Sequence, residues 1–154
     1  MTKAAKVYIV LLRLFLGCFF LYAGLSKLLG PTWSAAGYLG TAKTFSGFYS
    51  WLATSGNIGW VNFANEWALT LLGVALILGI FVRLASGLGI VLMVLYYLLG
   101  LNFPYAGQHG YIIDEHIIYI TLLLLFIAVK AGEKCGIDAW LVALWPRKRG
   151  SYLR

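Results

Sequence analysis

Long apolar runs make up most of the chain, and polar residues interrupt them at only a few places. Four runs have the length and pattern of helices, over residues 7–29, 62–82, 84–102 and 114–130. A helix needs about 20 mostly apolar residues to cross the hydrocarbon core of a bilayer. The pattern therefore predicts four membrane-spanning helices within a single domain over residues 1–154.

Residues 31–60 have a different pattern, in which polar side chains separate apolar ones at helical spacing. The apolar positions of this repeat are Tyr38, Ala42, Phe45, Tyr49 and Leu52. Ser46 and Gly47 are expected to divide the repeat into two short helices. Because three tryptophans accompany it, we predict an amphipathic segment that lies at the membrane interface and covers one end of the bundle.

The composition agrees with a membrane protein. Of the 154 residues, 62% are hydrophobic and only 11% are charged. A soluble domain of this size has too little interior to bury so much apolar surface. We therefore expect an all-α fold, an integral membrane four-helix bundle with an interfacial amphipathic segment between helices one and two. Membrane lipid is then its main partner.

The basic residues predict the orientation of the helices. One side collects Lys3, Lys6, Arg83, Lys130, Lys134 and a basic tail over residues 146–154, whereas the other side has chiefly Lys43. Basic residues beside apolar segments mark the cytoplasmic face. We expect a multi-pass protein of the plasma membrane with both termini in the cytoplasm. Because basic residues that mark a membrane face account for the net charge of +7, this charge does not indicate nucleic acid as a partner.

The first helix carries a stripe of small and basic residues. At about 100° per residue, Arg13, Gly17, Phe20, Gly24 and Lys27 fall within one narrow arc. Glycines allow close helix packing, so this arc is predicted to face the bundle. Arg13 is expected to have a structural polar role near the cytoplasmic end, as is Arg83 at the end of the second helix.

Ionisable residues cluster at the opposite end of the predicted bundle. Asp114, Glu115 and His116 open the last helix, while Lys27 and Glu66 reach a similar depth from helices one and two. Asp114 suits a helix N-cap and Glu115 complements the helix dipole, but neither role explains His116. Two interpretations stay open: a functional site, or a network of ion pairs that holds the helices together.

The histidines and cysteines do not predict a metal site or a haem. His109 precedes His116 by seven residues without the spacing of a zinc motif, and no other histidine could supply a second haem ligand. Cys18 and Cys135 lie far apart, which argues against a dithiol redox motif.

Several segments resemble the DoxX family, in particular its DoxD-like branch. They are LRLFLG (12–17), YAGLSKL (22–28), SAAGYL (34–39), LILGIFVRL (76–84) and IDEH (113–116), and the resemblance extends over residues 7–141. It implies a four-helix membrane protein similar to the membrane subunit of thiosulfate:quinone oxidoreductase. The resemblance also implies a quinone as the electron acceptor and a second oxidoreductase subunit as a partner. The family also has members whose role is not catalytic.

Two functions are therefore compatible with the sequence. The first is a membrane subunit of a quinone-linked oxidoreductase that oxidises thiosulfate or a related small sulfur anion at the outer face. The second is a non-catalytic scaffold or assembly factor for a redox complex; homo-oligomers are compatible with both.

In the first function, each residue of the cluster has an expected role. His116 would donate protons, because imidazole exchanges protons near neutral pH. Glu66 or Asp114 would orient it. The substrate-binding residues would be Lys27, Glu115, Trp67 and Tyr97, with Lys27 attracting an anion and the two aromatic rings packing against the quinone.

Overall fold

The computed structural model describes residues 2–106, 111–134 and 136–144 of the chain. In order, its helices are α1 (Lys3–Leu28), α2 (Ala36–Leu39), α3 (Ser46–Leu52), α4 (Ile58–Leu78), α5 (Val82–Gly100), α6 (Glu115–Ala128), α7 (Ala131–Lys134) and α8 (Ile137–Leu144). A small antiparallel hairpin, β1 (Leu101–Asn102) and β2 (Tyr105–Ala106), follows α5. The predicted basic tail over residues 146–154 lies outside the described residues.

Three of the described helices, α1, α4 and α5, are long and apolar enough to cross a membrane. The fourth long run forms α6, which has 14 residues and is therefore about 21 Å long. That length is less than the ~30 Å hydrocarbon core of a typical bilayer. The helical, multi-pass character of the chain is thus confirmed, and the fourth helix is shorter than the predicted span over residues 114–130.

Two helix starts differ from the predictions. The second long helix, α4, begins at Ile58 rather than at residue 62, because Asn62 does not act as an N-cap. Its side-chain oxygen instead accepts a hydrogen bond from the Ala35 N–H at 2.9 Å. The third long helix, α5, begins at Val82, so Arg83 lies in its first turn and not at the end of α4.

The four long helices associate mainly as two pairs, α1 with α4 and α5 with α6. Glycines allow α1 and α4 to approach closely. A Cβ atom added at Gly24 would lie 2.5 Å from the backbone nitrogen of Thr70, and one at Gly17 would lie 3.1 Å from the carbonyl oxygen of Gly73. The prediction that the glycine arc of the first helix faces the bundle is confirmed.

A hydrogen-bonded cluster joins the helices at one end of the bundle, here called the Arg13 end. Arg13 is only 3% exposed, and its Nη1 donates to the carbonyl oxygen of Ala131 at 3.0 Å. The Asp138 carboxylate, on α8, accepts hydrogen bonds from the backbone N–H groups of Phe81 and Val82. Asp138 thereby caps α5. The hydrogen bond from Arg13 to α7 agrees with the structural role predicted for Arg13.

The opposite end is covered by residues 31–57, here called the lid, which contain the two short helices α2 and α3. Leu39, Tyr49 and Leu52 of the lid pack against Leu99 of α5. The Tyr49 hydroxyl also donates to the carbonyl oxygen of Leu95 at 2.7 Å. These contacts hold the lid over the space between α4 and α5, where the candidate site lies.

Candidate functional site

A cavity of about 710 Å³, here called the lid cavity, lies beneath the lid and between the lid ends of α4, α5 and α6. Most of its walls are apolar and aromatic. Its polar lining comes chiefly from six residues of the lid and the four long helices: Lys27, Tyr38, Asn65, Tyr96, Glu115 and His116. A space of this size with apolar walls and a few convergent polar groups is typical of a small-molecule site.

Asp114 and His116 form a hydrogen-bonded pair at the start of α6. One Asp114 oxygen, Oδ1, accepts from the backbone N–H groups of His116 and Ile117 at 3.0 and 3.3 Å. The other, Oδ2, lies 2.7 Å from His116 Nδ1. A single carboxylate thus caps the helix and orients the imidazole, which leaves His116 Nε2 available to a ligand in the cavity.

Aromatic rings enclose the imidazole. The ring centroid of Tyr96 lies 5.7 Å from that of His116, and that of Tyr119 lies 6.4 Å away, both nearly perpendicular to it. The Tyr96 hydroxyl donates to the side-chain oxygen of Asn65, which joins α5 to α4. Packing on these sides restricts the imidazole to one orientation, as a proton donor or acceptor requires.

Tyr38 brings a further hydroxyl from the lid. Its ring lies 6.4 Å from that of Tyr96, again nearly perpendicular. Burial raises the pKa of Tyr38, and the negative charges of Glu115 and Asp114 raise it further. The Tyr38 phenol therefore keeps its proton over an extended pH range and can act as a hydrogen-bond donor to a ligand.

Lys27 supplies a positive charge at the border of the cavity. Its side chain is half-buried, and the ammonium group donates to the carbonyl oxygen of Ala23 at 3.0 Å. It also lies 5.5 Å from the ring centroid of Trp33, within the range of a cation–π contact. Lys27 and Glu115 both line the cavity, at its polar end.

The alternative expectation of a network of ion pairs between helices is not met at the lid end. Among the ionisable side chains described there, His116 and Asp114 have a nitrogen and an oxygen atom within 4.0 Å of each other. Both residues lie at the start of α6. Within the described part of the chain, the charged groups at this end therefore do not connect one helix to another by salt bridges.

Three residues expected at the site, Glu66, Trp67 and Tyr97, do not line the lid cavity. Asp114, and not Glu66, makes the hydrogen bond that orients His116. The Trp67 ring is exposed and lies beside Phe63, while the Tyr97 hydroxyl donates to the carbonyl oxygen of Ile112. Each is next in sequence to a residue that lines the cavity, which turns it away from that residue by about 100°.

Asn65, Tyr38 and Tyr96 line the cavity although no site role was expected of them. A signal for Asn65 was present, because Val61, Asn65 and Ala68 follow helical spacing and place a lone amide on an otherwise apolar face. The lid residue Tyr38 had no comparable signal, since its place depends on how the lid folds back over the bundle.

The described residues contain no group of three or more His, Cys, Asp or Glu side chains that could hold a metal ion. His109 and Cys135 fall outside the described residues. Cys18 is exposed on α1 and does not line the lid cavity.

Comparison with known proteins gives one match. A family model described as DoxX matches residues 8–101, from the first turns of α1 through the lid, α4 and α5. No curated protein and no solved structure matches the chain. The Asp114–His116 pair follows the matched region.

Proposed function

The chain belongs to the DoxX family of membrane proteins, and from that premise we propose that it is a membrane subunit of a quinone-linked oxidoreductase. The lid cavity binds the quinone ring. The observation that carries the proposal is an imidazole oriented by a buried carboxylate at the polar end of an apolar cavity between membrane helices. A small sulfur anion such as thiosulfate is the electron donor.

Reduction of a quinone to a quinol takes up two electrons and two protons, so the site must deliver protons to oxygen atoms in an apolar space. His116 fits this role because its Nδ1 faces Asp114, while its other ring nitrogen is available to a carbonyl oxygen. The Asp114 carboxylate keeps the ring oriented before and after transfer. The hydroxyl of Tyr38 offers a further hydrogen bond to the quinone ring.

The other wall residues bind and select the ligand. Trp33 and Trp60 line the lid cavity and offer aromatic faces to a planar ring. Lys27 attracts the sulfur anion towards the lid end, an electrostatic effect that does not require direct contact. In this proposal the aromatic role expected of Trp67 and Tyr97 passes to Trp33 and Tyr96, and the orienting role of Glu66 passes to Asp114.

The proposal includes a location and partners. The basic residues favour a plasma-membrane protein with the lid end outside and both termini in the cytoplasm. The resemblance to the thiosulfate-oxidising enzyme favours a second subunit that meets the sulfur anion and passes electrons to the quinone. Association between copies of this chain is compatible with the same arrangement.

The test combines bound quinone, activity and stability. A lipid extract of the purified protein should contain quinone in a stoichiometric amount. The His116→Ala variant should lower thiosulfate-dependent quinone reduction in vesicles by about 100-fold or more. Its melting temperature should stay close to that of the parent protein, because the Asp114 carboxylate still caps α6.

The matched control is Glu66→Gln, which changes a carboxylate near the same depth but outside the cavity lining. This variant should keep most of the activity. A stable and fully active His116→Ala protein, or the absence of bound quinone, would refute the proposal and favour the scaffold or assembly-factor role instead.

A further inference from the structure

We propose that the cleft between α4 and α5 holds the apolar chain of the same quinone whose ring occupies the lid cavity. The inference rests on the proposed function and adds to it the chemical class of the ligand: a quinone with a long isoprenoid chain. A second cavity of about 380 Å³ lies in this cleft, towards the Arg13 end. It is separate from the polar groups that would contact the ring.

The two cavities adjoin each other. Ala68 of α4 and Leu88 and Leu92 of α5 line both of them. Polar and charged side chains occur only in the lining of the lid cavity, whereas the second cavity is lined by apolar residues and a glycine. A ligand that occupied both would therefore need a polar head and an apolar chain, with the chain directed to the Arg13 end.

The packing of the bundle explains why the cleft exists. Gly24 and Gly73 bring α4 against α1, while α5 packs along α6, so that α4 and α5 meet each other less closely. Ala75 and Ala85, which line the cleft, have side chains too small to fill it. From Ala64, at the lid cavity, to Ala75, the cleft follows about 17 Å of helix.

The rim of the cleft is accessible from the side. Leu71 of α4 and Leu84 and Leu88 of α5 line it and are exposed. Since these helices are apolar enough to cross a membrane, a chain can enter from the surrounding lipid without passing through water. Transfer from lipid to an apolar cleft brings no hydrophobic gain, so shape must select the chain.

A single narrow chain fits this space better than a phospholipid does. The cleft lies between two helices only, and the groups around the imidazole include the hydroxyl of Tyr38, which suits a carbonyl oxygen. A chain held in the cleft also restrains the ring beneath the lid. The cleft would thereby position the ring for proton transfer from His116.

The experiment uses the full chain in phosphatidylcholine nanodiscs and a quinone with a photoreactive diazirine at the end of its isoprenoid chain. Cross-links should concentrate on cleft residues such as Leu71 and Leu84. An excess of unlabelled long-chain quinone should suppress these cross-links. An equal excess of a quinone without a chain should not shift the remaining cross-links to other residues.

A variant series tests the same point by affinity. Ala75→Leu fills the cleft and should weaken binding of the long-chain quinone by about tenfold, the effect of moderate overpacking. Binding of the chainless quinone should not change. Quenching of tryptophan fluorescence reports the ring, since Trp33 and Trp60 line the lid cavity. The control Ala128→Leu makes the same change at an exposed position of α6 and should affect neither ligand.

The outcomes separate the two proposals. If neither quinone binds, the proposed function is wrong. If the long-chain quinone binds, but cross-links are spread evenly over the exposed faces of α1 and α6, or Ala75→Leu behaves like Ala128→Leu, only the inference about the cleft is overturned. Equally strong labelling of the cleft by a phospholipid that carries the same diazirine would also overturn the inference about the cleft.

Discussion

Replacement of Gly24 by alanine should destabilise the protein, although alanine is the better helix former. The added Cβ would lie 2.5 Å from the backbone nitrogen of Thr70 and 2.8 Å from its Cα. Carbon atoms in favourable contact are about 3.5–4.0 Å apart. Because the opposing atoms are backbone atoms of α4, they cannot rotate away, and the two helices must separate.

The magnitude follows from two opposing terms. Alanine in place of glycine within a helix stabilises it by about 1 kcal/mol. Overpacking of a close interface costs about 1–3 kcal/mol, and a clash with rigid backbone belongs at the upper end of that range. We therefore expect a net loss of about 2 kcal/mol. For a chain of this size, the melting temperature should fall by about 4–8 °C.

Gly87→Ala provides a control of opposite sign. Gly87 lies within α5, and an added Cβ there would have no atom within 4 Å apart from its own local backbone. This variant gains the helix term without the clash, so its melting temperature should rise by about 2–4 °C. Circular dichroism melting curves in one detergent measure both changes.

A second glycine tests whether the cost comes from the α1–α4 interface as a whole. A Cβ at Gly73 would lie 2.6 Å from the Cα of Leu21, on the same interface. Once one alanine has separated the helices, the second should cost less. The double variant is therefore expected to be more stable than the sum of the two single effects predicts. A Gly24→Ala protein as stable as the parent would refute the close packing described here.

Two further predictions concern orientation and pH. In a background without Cys18 and Cys135, a cysteine that replaces Ser55 in the lid should react with a membrane-impermeant maleimide on intact cells. A cysteine that replaces Lys6 should react only after permeabilisation. Labelling of both cysteines from outside would contradict the proposed orientation. The raised pKa of Tyr38 stabilises the fold while the phenol is neutral, so this contribution is lost as the pH rises above the ordinary tyrosine value of 10.0. Melting curves at increasing alkaline pH should therefore fall less steeply for Tyr38→Phe than for the parent protein, and parallel curves would exclude this role of Tyr38.

Local features of the chain predicted much of the architecture. The apolar runs predicted the four long helices, because the helical repeat of apolar residues is visible within a short stretch of sequence. The arc of Gly17 and Gly24 predicted the face of α1 that packs closely. Asp114 was identified as the N-cap of α6 for the same reason, since a cap depends only on the next three residues.

The lining of the lid cavity overlaps only in part with the residues predicted for a site. Of those residues, His116, Lys27 and Glu115 line the cavity, but Glu66 and Trp67 do not. A charged residue and an aromatic residue at the right depth are visible in a sequence. Their direction around the helix axis is set by the helix against which α4 packs, and that choice depends on contacts between residues far apart in the chain.

The lid cavity and the cleft were decided by the tertiary structure alone. Tyr38 reaches the cavity because the lid folds back onto α5, and Asn65 contacts Tyr96 because α4 and α5 approach each other at the lid end. The cleft below exists because α4 packs on α1 and α5 on α6. No local pattern encodes such a space, since an empty volume between helices is defined by the relative positions of all the helices around it.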